Sequence, residues 1–162
     1  MTVRLRGHHL LCMLTYVGRG YTPAFAANFN AIATRLSEGE DILLVDGPDD
    51  ICAPLLAEDD THCFGESASR RDRTALATAG RQLALQLRIG TRLCLTPATL
   101  TNLREAFSRA VPADIAQAGL RRACAGCEWA ALCTGIAERG YDGALVRMTG
   151  RVRLPQNRPA RA

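Results

Sequence analysis

Apolar residues recur along the chain at two spacings, and the change from one to the other marks its elements. Leu10, Leu11 and Leu14 fall at near-helical intervals and predict a helix within His8 to Val17. Thr22-Pro23 is a helix start, with threonine as the cap and proline in the first turn, where its missing N–H costs nothing. Phe25, Phe29, Ile32 and Leu36 then line one face as a buried stripe, and Gly39 closes the helix. Asp41 to Val45 predicts a short buried strand, because Ile42-Leu43-Leu44-Val45 is a brief apolar run ended by the turn Asp46-Gly47-Pro48.

Gly47 to Ser69 reads as a loop, followed by a helix from about Arg70 to Leu87 that Gly90 ends. Thr91 to Leu95 is expected as a strand, and Thr96-Pro97 repeats the Thr-Pro start for a helix to about Ser108. The last helical region is expected from about Ala113 to Glu138, then Gly140 and Gly143, then an edge strand from Ala144 to Leu154. The expected fold class is therefore α+β, a mainly helical single domain with one small sheet. The domain is expected to span residues 1–146, with a basic, flexible C-terminal tail at 147–162.

Composition narrows the chemistry. With 162 residues, 48% of them hydrophobic, the chain can build a core without crosslinks, so a metal need not be what makes it fold. All 20 basic residues are arginines, scattered among 16 acids for a net charge of +4. A nucleic-acid footprint would cluster them with interleaved aromatics, so no nucleic-acid partner is expected. The apolar run Leu10 to Val17 is too short and too polar for an export signal, and no stretch approaches the roughly 20 residues of a membrane span. A cytoplasmic location with no membrane association follows as the expectation. In that reducing compartment seven cysteines are not a disulfide framework.

The strongest local signal is Cys124-Ala-Gly-Cys127-Glu-Trp129-Ala-Ala-Leu-Cys133, which spaces three thiols as C-x2-C-x5-C. A two-residue gap turns two thiolates to the same side, and the third returns from the next helical stretch. Trp129 and Leu132 would supply an apolar surround that limits solvent access. A tetrahedral zinc or a cubane cluster needs a fourth ligand from elsewhere. Cys52 and Cys63, in the acidic loop with His62 beside the second, are the candidates. The loop acids Asp49, Asp50, Glu58, Asp59 and Asp60 lack the alternating spacing of a calcium loop and read as a solvated face.

His8, His9 and Cys12 form a second constellation, since His8 and Cys12 stand one helical turn apart. It suits a metal or a Cys-His nucleophile pair, but nothing nearby in sequence supplies an orienting acid or an oxyanion site. Cys94, between Leu93 and Leu95, is expected as a core side chain.

The segments Arg4-Leu-Arg-Gly-His-His-Leu-Leu-Cys12, Gly18-Arg-Gly-Tyr21, Asp46-Gly-Pro-Asp-Asp-Ile-Cys52, His62-Cys63 and Cys124-Ala-Gly-Cys127-Glu-Trp129 with Cys133 resemble the bacterial and archaeal domain of unknown function 1284. The resemblance covers Arg4 to Glu138 and implies iron-sulfur binding. By position its cysteines match Cys12, Cys52, Cys63, Cys124, Cys127 and Cys133, while Cys94 has no counterpart. Leu55 stands where many members carry a further cysteine, which implies a single centre built from the C-terminal three thiols and one loop cysteine.

The expectation is a small cytoplasmic iron-sulfur protein in electron transfer or redox sensing, with a [4Fe–4S] cluster favoured over [2Fe–2S]. Its ligands would be Cys124, Cys127, Cys133 and either Cys63 or Cys52, with Cys12 a further option for the fourth place. Its partner would be a redox protein or other protein of unknown identity. Spacing alone does not separate iron from zinc. The rivals are a structural zinc or metal-free partner-binding module, and a thiol enzyme using Cys12 with His8 or His9.

Overall fold

A computed structural model describes residues 1–57, 62–109 and 119–149. Its first element is one the apolar spacing did not predict. Val3 and Leu5 alternate with Thr2 and Arg4 to form β1 (Thr2–Leu5), whose inward residues are fully buried. β1 pairs in parallel with β2 (Asp41–Leu44), Thr2 opposite Asp41 through Leu5 opposite Leu44. β3 (Arg92–Leu93) adds antiparallel to β2, giving the sheet order β1-β2-β3.

A parallel pair needs a long crossover, and here it carries α1 (His9–Thr15) and α2 (Pro23–Ser37). Thr22 caps α2 as expected, accepting a hydrogen bond from the Phe25 amide. The remaining helices are α3 (Glu66–Leu83), α4 (Pro97–Arg109) and α5 (Ala130–Glu138), with 3-10 turns at Ala53–Leu55, His62–Phe64 and Gly119–Cys124. The mainly helical α+β class expected from the sequence is the fold observed. No helix among the described residues is long and apolar enough to cross a membrane.

Several boundaries differ from expectation for physical reasons. α3 begins at Glu66 and ends at Leu83, not at Gly90, because Ala84 takes the left-handed conformation (φ 54°) and the Leu85 amide bonds back to the Gly80 carbonyl at 2.9 Å. That closure normally uses glycine, so alanine gave no warning. The last helical region is broken. The Gly119–Cys124 turn and a bend with Gly126 at φ +73° precede α5. The described part of the expected edge strand, Ala144 to Thr149, pairs with no strand; Leu145 instead donates its amide to the Tyr16 carbonyl at 2.8 Å. Cys94 is exposed, not core, because strand alternation turns Leu93 and Leu95 inward and Cys94 out. The start of the expected last helix at Ala113 and the tail from residue 150 lie outside the described residues.

The joint between β1 and α1 positions the rest. Arg6 is 1% exposed, and its guanidinium donates through Nε to Asp72 Oδ2 at 2.9 Å and through Nη1 to the Cys63 carbonyl at 2.8 Å. Nη2 lies 2.8 Å from the same Asp72 oxygen, in ion-pair contact though off the line of a hydrogen bond. A side chain on Gly7 would run into the Asp72 backbone, so only glycine lets α1 start directly against α3.

Removing one partner of a buried pair strands the other charge. Asp72→Ala should therefore lower unfolding stability by about 3–5 kcal/mol in urea titrations. Glu66→Ala, which breaks only the exposed Glu66–Arg73 pair, should leave the midpoint where it was.

Candidate metal centre

Cys12 lies on α1, and its amide bonds to the His8 carbonyl at 3.2 Å. At the other end of the chain the Cys127 amide reaches back to the Cys124 carbonyl at 3.0 Å, and left-handed Gly126 permits that tight bend. The turn then feeds α5, whose first turn carries Cys133. Buried Arg121 clamps the two halves together. Its Nη1 donates to Thr134 Oγ1 at 2.8 Å and its Nη2 to the Ala130 carbonyl at 3.0 Å, and the guanidinium lies 4.6 Å from the Phe107 ring centroid. On the α1 side, Thr15 Oγ1 donates to Cys133 Sγ at 3.1 Å.

Cys12, Cys124, Cys127 and Cys133 consequently line one cavity of about 120 Å³. Trp129 and Leu132 line it too, and Tyr21 packs edge-on to both Trp129 and Phe25, at 5.4 and 5.5 Å between centroids. The structure thus brings Cys12 to the C-terminal trio. Cys52 and Cys63, the expected donors of the fourth ligand, lie instead on an adjoining cavity of about 400 Å³, where Cys127 forms part of the shared wall.

The electrostatics of the four-thiol cavity fit a metal. Burial pushes the Cys12 thiol far up, and the nearness of Cys133, Cys124 and Cys127 adds to the rise. Burial raises Cys124 to about 11, with Arg121 opposing and Cys127 and Cys133 reinforcing. Cys133 is also raised by burial, against the hydrogen bond from Thr15. Such thiols ionise only if a cation takes up the charge, which is what a metal centre supplies. Among the described residues Arg121, whose charge opposes the rise of the Cys124 thiol, has a buried Nε with no hydrogen-bond partner. An anionic centre would give that donor an acceptor.

The second constellation has the orienting acids that were not visible in sequence. His8 Nδ1 lies 2.6 Å from Asp72 Oδ1, and His9 Nδ1 lies 2.7 Å from Asp49 Oδ2. Asp49 is buried at 4% exposure and so is no part of a solvated face; Asp50 is partly buried, and Glu58 to Asp60 fall outside the described residues. His9, Asp49 and Cys52 bring one ligand atom each within 4.8 Å of one another, a group that could hold a metal ion. Asp72 carried no local signal at all. It sits mid-helix, and only its contacts with Arg6 and His8, more than 60 residues earlier, give it a role.

The dyads set the acid response. Burial, helped by the charges of His9 and Arg6, outweighs Asp72 and pulls His8 down from 6.5 to about 4, so at neutral pH it is an uncharged donor to the carboxylate. Asp72, despite its burial, is pulled from 3.8 to about 2 by hydrogen bonds from His8 and Arg6. Between pH 6.5 and 4 the unfolded chain binds the His8 proton more readily. Stability should therefore be complete above 6.5 and fall toward pH 4, by on the order of 3 kcal/mol. Asp72 adds a second loss between 3.8 and 2. Urea midpoints across this range should show both steps, and His8→Asn should remove the upper one.

No curated protein and no solved structure matches the chain. One family model does match, that of "Protein of unknown function (DUF1284)", over residues 20–133, a span that contains Cys52, Cys63, Cys124, Cys127 and Cys133. Because that span is well over half of the sequence, the chain belongs to the DUF1284 family.

Proposed function

We propose that this is an iron-sulfur protein in which Cys12, Cys124, Cys127 and Cys133 hold a [4Fe–4S] cluster, working in electron transfer or redox sensing in the reducing cytoplasm. The observation that carries the reading is the convergence of these four thiols on one cavity. A cavity of about 120 Å³ lined by four thiols has room for a cluster of several atoms.

With four thiolates as ligands the cluster has no open position, which favours electron transfer over substrate chemistry. Gly126 and Glu128, on either side of Cys127, are exposed, so a redox protein partner docking there would come within a residue of a ligand. The aromatic wall of Tyr21, Phe25 and Trp129 limits the access of water to the cavity. The His8–Asp72 dyad gives the thiol-enzyme alternative the orienting acid it needs, but burial that raises the Cys12 thiol removes the thiolate such an enzyme would use.

Anaerobically purified protein should show thiolate-to-iron charge-transfer absorption with about four iron and four sulfide per chain. Cys12→Ser should lose the band as completely as Cys124→Ser does, whereas Cys63→Ser should retain it. A colourless protein with zinc bound to four sulfurs would defeat the reading.

A further inference from the structure

We propose that His9, Cys52 and Cys63 form a second, separate metal site, a zinc site with its fourth position open toward the larger cavity. It does not depend on what fills the four-thiol centre.

The argument begins with Asp49. Its Oδ2 accepts from the Arg6 amide at 2.8 Å and from His9 Nδ1 at 2.7 Å, while Oδ1 accepts from the Ile51 and Cys52 amides at 3.0 and 3.1 Å. Both oxygens are occupied, so Asp49 is the outer carboxylate of the group and not a ligand itself. It holds His9 with the proton on Nδ1, which leaves the Nε2 lone pair to bind. The same carboxylate fixes the Cys52 backbone. One buried acid thus positions two residues, with a ring nitrogen of His9 and the Cys52 sulfur within 4.8 Å of each other and of its carboxylate.

Cys63 supplies the third ligand. Its carbonyl is held at 2.8 Å by Arg6 Nη1, its thiol is near enough to help raise that of Cys52, and it lines the same cavity as His9 and Cys52. Two thiolates and one imidazole are soft enough to select zinc over magnesium or calcium. Three protein ligands with an open fourth place are the arrangement of catalytic rather than structural zinc. The open position faces about 400 Å³ of space, room for water and a small anionic or thiol-bearing ligand. Both thiols lose their protons when the ion binds. Two protons are released per zinc, and the dication is balanced by the two thiolates.

The test is metal analysis and zinc-edge X-ray absorption on the anaerobically purified full chain. The expected result is one zinc per chain, with two sulfur and two nitrogen or oxygen neighbours. Cys63→Ser, at a half-buried position that tolerates the change, should lose the zinc with iron, sulfide and visible absorption unchanged, while Cys124→Ser should lose iron and keep zinc. Three results would overturn the proposal: no zinc taken up after chelation and addition of zinc chloride, zinc with four sulfur neighbours, or a Cys52–Cys63 disulfide in the purified chain. A four-sulfur shell would also remove the iron-sulfur reading, whereas failure to take up zinc would leave that reading standing.

Discussion

A guanidinium buried at the end of the first strand has to be neutralised, and the way it is neutralised organises the molecule. Taking Arg6 out of water costs several kcal/mol unless its donors are met. Nε and Nη1 are met by Asp72 on α3 and by the Cys63 carbonyl, Nη2 stands in ion-pair contact with the same Asp72 oxygen, and the Arg6 amide turns to Asp49. Three distant segments are thereby drawn to one residue. Because α1 leaves that residue within a turn, the same contacts aim His8, His9 and Cys12 at the cavities.

Each acid is used more than once. Asp72 balances Arg6 and also holds both the amide and the ring of His8. Asp49 holds the Arg6 amide, the His9 ring and the loop amides of Ile51 and Cys52. Multiple acceptance of this kind keeps a carboxylate ionised in a dry place, and it couples the loop, α1 and α3 so that none shifts alone.

What was legible in the sequence was local. Thr22-Pro23 and Thr96-Pro97 mark helix starts because cap and first turn are adjacent residues, and the C-x2-C-x5-C run declares itself because its geometry is made within one turn and one helix. β1 was passed over because four residues of alternation are a weak pattern, and the end of α3 because alanine stands where glycine signals a stop. Cys94 was misread because, on a two-residue strand, one step along the chain decides inside from outside. Asp49 and Asp72 could not be told from surface acids. Their partners lie 40 to 66 residues away, and no local spacing records that. The placement of Cys12 beside Cys133 is of the same kind, made through a contact between Thr15 and a thiol 118 residues later.

That last contact joins the two ends of the described chain. A centre shared by Cys12 and Cys124 closes a loop of more than a hundred residues. A constraint of that length acts on the unfolded ensemble as a covalent crosslink does, worth up to about 4–5 kcal/mol in chain entropy. The loop cannot close until the C-terminal cysteines have been synthesised. A metal held there would be the final fastening of the fold, and its loss would loosen the whole domain as well as emptying one pocket.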